Sequence, residues 1–127
     1  MQQITLTSKL ENRGHYVPGM ISGDKLYISG QLPVHHETGS PMADTIEQQT
    51  RDALHNVERV LLAAGCTKEN VVLCRVYIPD VAAWDAVNAA YAAFFGSHKP
   101  ARVMVPTREL HNGALVEIEA IAELGNL

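Results

Sequence analysis

An apolar stripe with helical spacing stands out in the first half of the sequence. Its members recur at intervals of three and four residues: Ile46, Thr50, Ala53, Leu54, Val57, Val60, Leu61 and Ala64. Asp44 followed by Glu47 fits a capping box, and Glu47 and Arg51 are spaced for an ion pair. Gly65 fits the position just after a helix end. We therefore predict one amphipathic helix between Asp44 and Gly65.

A second helix is predicted after the sequence IPD, residues 78–80. Asp80 is suited to cap it, Gly96 to end it, and one stripe runs along it: Val81, Trp84, Val87, Asn88, Tyr91 and Phe94 or Phe95. Aromatic stripes of this kind are usually core, so we interpret this one as packing rather than as a cofactor site.

Alternating or β-branched segments predict six strands, at residues 3–7, 16–21, 25–29, 70–78, 101–105 and 114–122. The turn Ser22-Gly23-Asp24 joins the second and third strands as a hairpin, and residues 32–42 form a loop. The order βββαβαββ predicts an α+β protein, in which two helices cover one face of a mixed sheet.

Alternation in the last strand divides its side chains between two faces. Val116, Ile118, Ala120 and Ala122 share the face that we place under the helices, while Leu115, Glu117, Glu119 and Ile121 share the other. Two helices cover one face only, yet the second face is still partly apolar. We therefore predict a homo-oligomer with functional sites along its seams.

Composition and charge narrow the class of protein. With 127 residues, 46% of them hydrophobic, the chain fits one domain, residues 1–127. The net charge of −4 and the scattered basic residues argue against nucleic-acid binding. No segment resembles a signal peptide or a membrane span. Cys66 and Cys74 fit reduced structural thiols, which predicts a cytoplasmic location.

Charged residues within otherwise apolar strands mark the candidate chemistry. Arg102 lies on the same face of its strand as Met104, and a guanidinium there could bind a carboxylate or stabilise a subunit seam. Glu117 and Glu119 could act on a water molecule, or could pair with Arg102 or Arg108. The spacing leaves both alternatives open for all three residues. A chain of this size leaves little room for the sugar cleft of a glycosidase.

Other kinds of site lack their motifs. The adjacent His35 and His36 point apart on an extended chain, and no HExxH or CxxC pattern predicts a metal. Ser29 lacks a nucleophile-elbow context, and neither cysteine has an evident base beside it. Noncovalent acid–base or electrostatic chemistry remains.

Together, several segments resemble the Rid (YjgF) family of reactive enamine and imine deaminases. They are HYVPGM (15–20), LYISGQLP (26–33), the first helix (46–65), VYIPDVAAWDAVNAAYAAFF (76–95), KPARVMV (99–105) and GALVEIEAIA (113–122). The resemblance covers nearly the whole chain. It implies a chorismate-mutase-like two-layer sandwich, assembled as a homotrimer with clefts between subunits.

The resemblance also implies an activity and a site. The expected reaction is hydrolysis of small 2-imino or enamine acids, such as 2-iminobutanoate and 2-iminopropanoate, to 2-keto acids and ammonia without metal or cofactor. Arg102 would hold the substrate carboxylate and Glu117 would position the attacking water. Tyr16 would line the cleft, completed by backbone groups near Gly30 and Met104.

Some positions depart from the family pattern. Val103 stands where a small hydroxyl residue is usual, Pro18 replaces a glutamine, and His15 and His111 replace prolines. We expect Val103 to face away from Arg102 and to affect packing rather than carboxylate binding.

Two further functions are considered besides the deaminase. A noncatalytic protein could use the same clefts to bind keto acids. Some relatives are linked to ribonuclease activity, but the net negative charge of this chain argues against that function.

Overall fold

The computed structural model describes residues 1–12 and 14–125, which form a six-stranded sheet with two α-helices on one face. The strands are β1 (Gln2–Ile4), β2 (Gly19–Ser22), β3 (Lys25–Gln31), β4 (Val71–Ile78), β5 (Ala101–Pro106) and β6 (Glu117–Glu123), and the helices are α1 (Ile46–Ala63) and α2 (Trp84–Phe95). The predicted α+β class and element order are confirmed.

The sheet has the order β1-β2-β3-β6-β4-β5, which places the last strand in its interior. Only β4 and β5 pair in parallel, and the other neighbours are antiparallel, so the sheet is mixed as predicted. The hairpin between β2 and β3 pairs Ser22 with Lys25 and has Gly23 at φ 61°, a conformation that glycine adopts without strain.

The core lies between the helices and one face of the sheet. Val116, Ile118, Ala120 and Ala122 are buried there, which confirms the predicted alternation around the last strand. α1 contributes Leu54, Val57, Val60 and Leu61, each fully buried. Burying side chains of this size stabilises a fold by about 1.5–3 kcal/mol each relative to exposing them.

The predicted N-terminus of α1 needs correction. Thr45 is the N-cap and its Oγ1 accepts a hydrogen bond from the Gln48 N–H at 3.2 Å, so the proposed Asp44–Glu47 capping box does not form. The extended conformation of Thr45 makes Ile46 the first helical residue, which moves the capping register by one position. Gly65, at φ 79°, follows the helix end as predicted.

Several other boundaries also differ from the prediction. Arg51 donates to Gln48 Oε1 at 2.9 Å rather than pairing with Glu47. α2 follows a 3-10 turn over Val81–Ala83 that Asp80 caps. β6 begins at Glu117 rather than at residue 114, because the Leu115 N–H donates to the Gln49 side chain instead of to a strand.

The first two strands are shorter than predicted. β1 ends at Ile4 and β2 begins only at Gly19, so Tyr16 lies in the loop before β2. None of the helices in the described part of the chain is long and apolar enough to cross a membrane.

Candidate functional site

The face of the sheet without helices carries the two glutamates of the last strand. Register pairs Glu117 with Tyr77 and Glu119 with Arg75, and places Tyr27 beside Ile121 on the same face. Tyr27 and Val103 are 47% and 46% exposed, so this uncovered face is partly apolar in the single chain. Val103 pairs with Arg75 and therefore faces away from Arg102, as expected.

The two glutamates have different surroundings. Glu119 lies 3.5 Å from Arg75 Nη1 and accepts a hydrogen bond from the Tyr77 hydroxyl, which raises the pKa of Tyr77. Arg75, rather than Arg102 or Arg108, is thus its cationic neighbour. By contrast, within the described residues Glu117 has neither a salt bridge nor a hydrogen bond to its side chain. Burial, and then the negative charge of Glu119, raise the pKa of Glu117, and His111 opposes this.

The Glu117 carboxylate lies directly against Gly30. Ile28 pairs with Ala120 and Gln31 with Ile118, so β3 carries one extra residue here as a β-bulge. A Cβ on Gly30 would lie 2.5 Å from Glu117 Oε2. The missing side chain of Gly30 is what lets the carboxylate lie against the backbone of β3.

Ser29 anchors the loop that carries Tyr16. Its Oγ donates to the Val17 carbonyl at 2.7 Å, and its N–H donates to the Pro18 carbonyl at 2.9 Å. Tyr16 is 56% exposed and lines a groove with a volume of about 640 Å³, together with Leu6, Ser8, Gln31, His36 and Arg59. Arg102 and Glu117 are absent from the described lining of this groove, so the groove is not the predicted site by itself.

Arg102 lies on the other face of the sheet, at the β5 edge, against α2. Its Nη1 donates to Asn88 Oδ1 at 2.8 Å, and its guanidinium lies 4.8 Å from the Tyr91 ring centre and 5.4 Å from that of Trp84. Met104 shares its face, as predicted, and packs against the core. One of the five guanidinium N–H groups is engaged by a described residue, which leaves donors for a carboxylate.

Sequence reasoning missed the surroundings of Arg102. The interpretation of the α2 stripe as core is correct for Val87, Tyr91 and Phe95 but wrong for Val81 and Trp84, which are 61% and 40% exposed. Asn88, a polar residue within an apolar stripe, is the sequence feature that could have indicated a polar partner on this face of α2. Arg75 was also missed, although strand alternation places it beside Glu119.

Two buried groups near Arg102 are not poised for reaction. Burial raises the pKa of the Cys74 thiol to about 11, so it stays protonated and weakly nucleophilic at neutral pH. Burial also raises the pKa of Tyr91. Among residues 1–12 and 14–125, no group of three or more His, Cys, Asp or Glu side chains could hold a metal ion.

Comparison with known proteins identifies the family. Residues 6–124 match the family model described as Endoribonuclease L-PSP. The chain belongs to this family, which is the Rid (YjgF) family that the sequence motifs indicate.

Individual relatives agree with this assignment. A RutC family protein of Pyrococcus horikoshii is 39% identical over 86% of each chain. The 2-iminobutanoate/2-iminopropanoate deaminase of Escherichia coli K12 is 39% identical over 86% of this chain and 87% of its own. The crystal structure of Escherichia coli TdcF with bound serine superposes with a TM-score of 0.91 at 30% identity, and covers 98% of this chain and all of the other, 100%.

Proposed function

We propose that this protein hydrolyses small 2-imino and enamine acids to 2-keto acids and ammonia, in clefts between the subunits of a homotrimer. The name of the Escherichia coli relative, 2-iminobutanoate/2-iminopropanoate deaminase, supports the substrate class. The bound serine of a structural neighbour supports a ligand of amino-acid size and chemistry. Neither a metal nor an organic cofactor is part of the proposal.

The observation that carries the proposal is the state of Glu117. It is a partly buried carboxylate without a salt bridge among the described residues, and the pKa of this group is raised by burial. A carboxylate that served only structure would be expected to have a cation, as Glu119 has Arg75. A raised pKa brings a carboxylate closer to the value that suits a general base near neutral pH.

Arg102 supplies the binding half of the site. Asn88, Trp84 and Tyr91 hold its guanidinium, so a carboxylate meets donors that are already oriented. Charge-assisted hydrogen bonds of this kind fix the orientation of a planar acid. Tyr16 and Met104 would line the cleft, and Gly30 would leave space for the Glu117 carboxylate beneath the substrate.

Arg102 and Glu117 can act on the same substrate only if a second chain contributes one of them. Arg102 is on the helix-covered face and Glu117 on the uncovered face of one sheet, so one substrate meets both only if they come from different subunits. The side chains of Tyr27 and Val103 are exposed on the uncovered face, and burying them against another copy of the chain would favour association. The cytoplasmic location suggested by the two free cysteines is part of the same proposal.

The chemistry requires few groups. The imine nitrogen is protonated, and water attacks the imine carbon while Glu117 accepts a proton from that water. Glu117 returns this proton to the amino nitrogen of the carbinolamine, the carbon–nitrogen bond breaks as ammonia leaves, and the hydroxyl gives its proton to Glu117 as the carbon–oxygen double bond of the keto acid forms. Orientation by Arg102 and a positioned water are sufficient, because the iminium carbon is already electrophilic.

The test measures keto-acid release from 2-iminobutanoate and 2-iminopropanoate generated in situ, with and without protein. We expect acceleration by the wild type, and a loss of about 100-fold or more in Arg102→Ala and Glu117→Gln. Glu119→Gln is the matched control and should lose much less. Absence of acceleration by the wild type over buffer would overturn the deaminase function.

A keto-acid binding protein without activity is the alternative outcome. In that case 2-oxobutanoate binds, Arg102→Ala abolishes binding, and no imine is hydrolysed faster than in buffer. Ribonuclease activity, which the description of the family model names, fits this chain less well, because its net charge of −4 opposes binding to the RNA backbone.

A further inference from the structure

Trp84 is an unusual residue for a helix start that only needs packing. It is the one tryptophan of the sequence, it is 40% exposed, and its indole ring centre lies 5.4 Å from the Arg102 guanidinium carbon. A large aromatic side chain that contributed only to the core would be expected to lie deeper. Its exposed part is therefore free to meet a ligand beside Arg102.

Trp84 and Arg102 have a fixed mutual geometry. Residues 84, 88 and 91 lie on one side of α2, one and two turns apart, and each contacts the guanidinium. Asn88 accepts from Nη1, while the Tyr91 ring and the Trp84 ring contact the guanidinium through their π faces. The guanidinium donors that remain free thus stay at a constant position relative to the indole.

If the protein acts on 2-imino acids as proposed, this geometry fixes where the substrate side chain lies relative to Trp84. In a 2-imino acid, the side chain is attached to the carbon next to the carboxylate. A carboxylate bound by Arg102 therefore brings the side chain close to the indole. An aromatic surface adds favourable contact with every apolar carbon placed on it, and offers nothing to an anionic group that loses water there.

We propose that Trp84 determines substrate specificity, and that it favours 2-imino acids with branched or bulky apolar side chains over the smallest ones. Met104, on the same face of β5 as Arg102, adds a flexible apolar wall that can adapt to different side-chain shapes. The preferred substrates are those derived from amino acids such as leucine.

The kinetic test compares the imino acids of leucine and alanine, each generated in situ, as substrates of the wild type, Trp84→Ala and Trp84→Phe. We expect Trp84→Ala to lower kcat/KM for the leucine-derived imine about tenfold, and for the alanine-derived imine less than about threefold. Trp84→Phe should keep most of the preference. Leu62→Ala removes another exposed apolar side chain, 61% exposed on α1, and should change neither value.

The ratio between the two substrates separates specificity from support of Arg102. If the indole only holds the guanidinium, Trp84→Ala weakens both substrates by the same factor, and the specificity proposal is wrong. Circular dichroism melting of each variant checks that the fold is retained.

Binding gives a second readout, because Trp84 is the only tryptophan and reports directly on its surroundings. We expect its fluorescence to change on titration with 4-methyl-2-oxopentanoate and pyruvate, with the former binding about tenfold more tightly, and no change in Arg102→Ala. Equal affinities would overturn the role of Trp84. If both imines are hydrolysed equally well, only the specificity proposal is wrong. If 4-methyl-2-oxopentanoate binds more tightly than pyruvate but no imine is hydrolysed, only the deaminase function is wrong.

Discussion

Arg102 and Glu117 lie on opposite faces of the same sheet. Both strands that carry them border β4, where Arg102 pairs with the buried Cys74 and Glu117 pairs with Tyr77 on the uncovered side. Paired residues share a face, so the sheet itself separates the two side chains. A site that uses both must be completed by another subunit.

This separation predicts complementation between inactive variants. Arg102→Ala and Glu117→Gln should each be inactive alone, but in the proposed homotrimer mixed assemblies should contain sites with one intact residue from each chain. Random mixing in equal amounts should restore about a quarter of wild-type activity, because each site needs two independent intact contributions. The measurement is keto-acid release after the two variants are co-expressed or refolded together.

Simple blending of the purified variants, without subunit exchange, is the control for this experiment. Native mass spectrometry checks the trimer and the presence of mixed species. Mixed trimers that remain as inactive as the parent variants would contradict a shared site.

The contact between Gly30 and Glu117 predicts a specific loss of activity. A Cβ at Gly30 would lie 2.5 Å from Glu117 Oε2, so Gly30→Ala must displace the carboxylate. We expect kcat/KM to fall about 10- to 100-fold, because small displacements of a catalytic group have effects of this size. Gly23→Asn is the control: it replaces the glycine of the β2–β3 hairpin turn, where a Cβ meets nothing within 4 Å. Equal activity in the two variants would contradict this role of Gly30.

The neighbours of Glu117 predict opposite shifts in pH dependence. In the proposed reaction Glu117 accepts a proton only when its carboxylate is ionised, so we expect activity to fall as the pH drops through the pKa of Glu117. The charge of Glu119 raises this pKa and His111 lowers it. Glu119→Gln should therefore move the acid limb of the kcat/KM profile to lower pH, and His111→Ala should move it to higher pH. Shifts in the same direction would show that another group controls this limb.

Asn56 is predicted to be important for stability rather than for chemistry. It is buried in α1, and its Nδ2 donates to the carbonyls of Leu32 and Val34 at 2.9 and 2.8 Å, which fastens the loop after β3 to the helix. Asn56→Leu leaves both carbonyls without this donor. We expect the free energy of unfolding to fall by about 2–4 kcal/mol in urea denaturation. The exposed variant Leu62→Ala should fall by less than about 1 kcal/mol.

Much of the fold followed from periodicity. The stripe of α1, the Gly65 and Gly96 helix ends and the alternation around β6 were predictable, because each depends on contacts a few residues apart. The capping residue of α1 and the start of β6 were not. The first depends on the hydrogen bond from the Gln48 N–H to Thr45 Oγ1, which shifts the cap by one residue. The second depends on the hydrogen bond from the Leu115 N–H to the side chain of Gln49, which is distant in the sequence.

The sequence by itself determined which residues carry charge into the strands and which face of β6 meets the helices, since side-chain alternation is a local property of extended backbone. It also indicated the family, and with it the expected roles of Arg102 and Glu117. Only the tertiary structure decided that Arg75 neutralises Glu119 while Glu117 has no such partner in the described part of the chain, and that α2 fixes Arg102 through Trp84, Asn88 and Tyr91. Those relationships join segments far apart in the chain, and their register is set by strand pairing and helix packing, which no local pattern encodes.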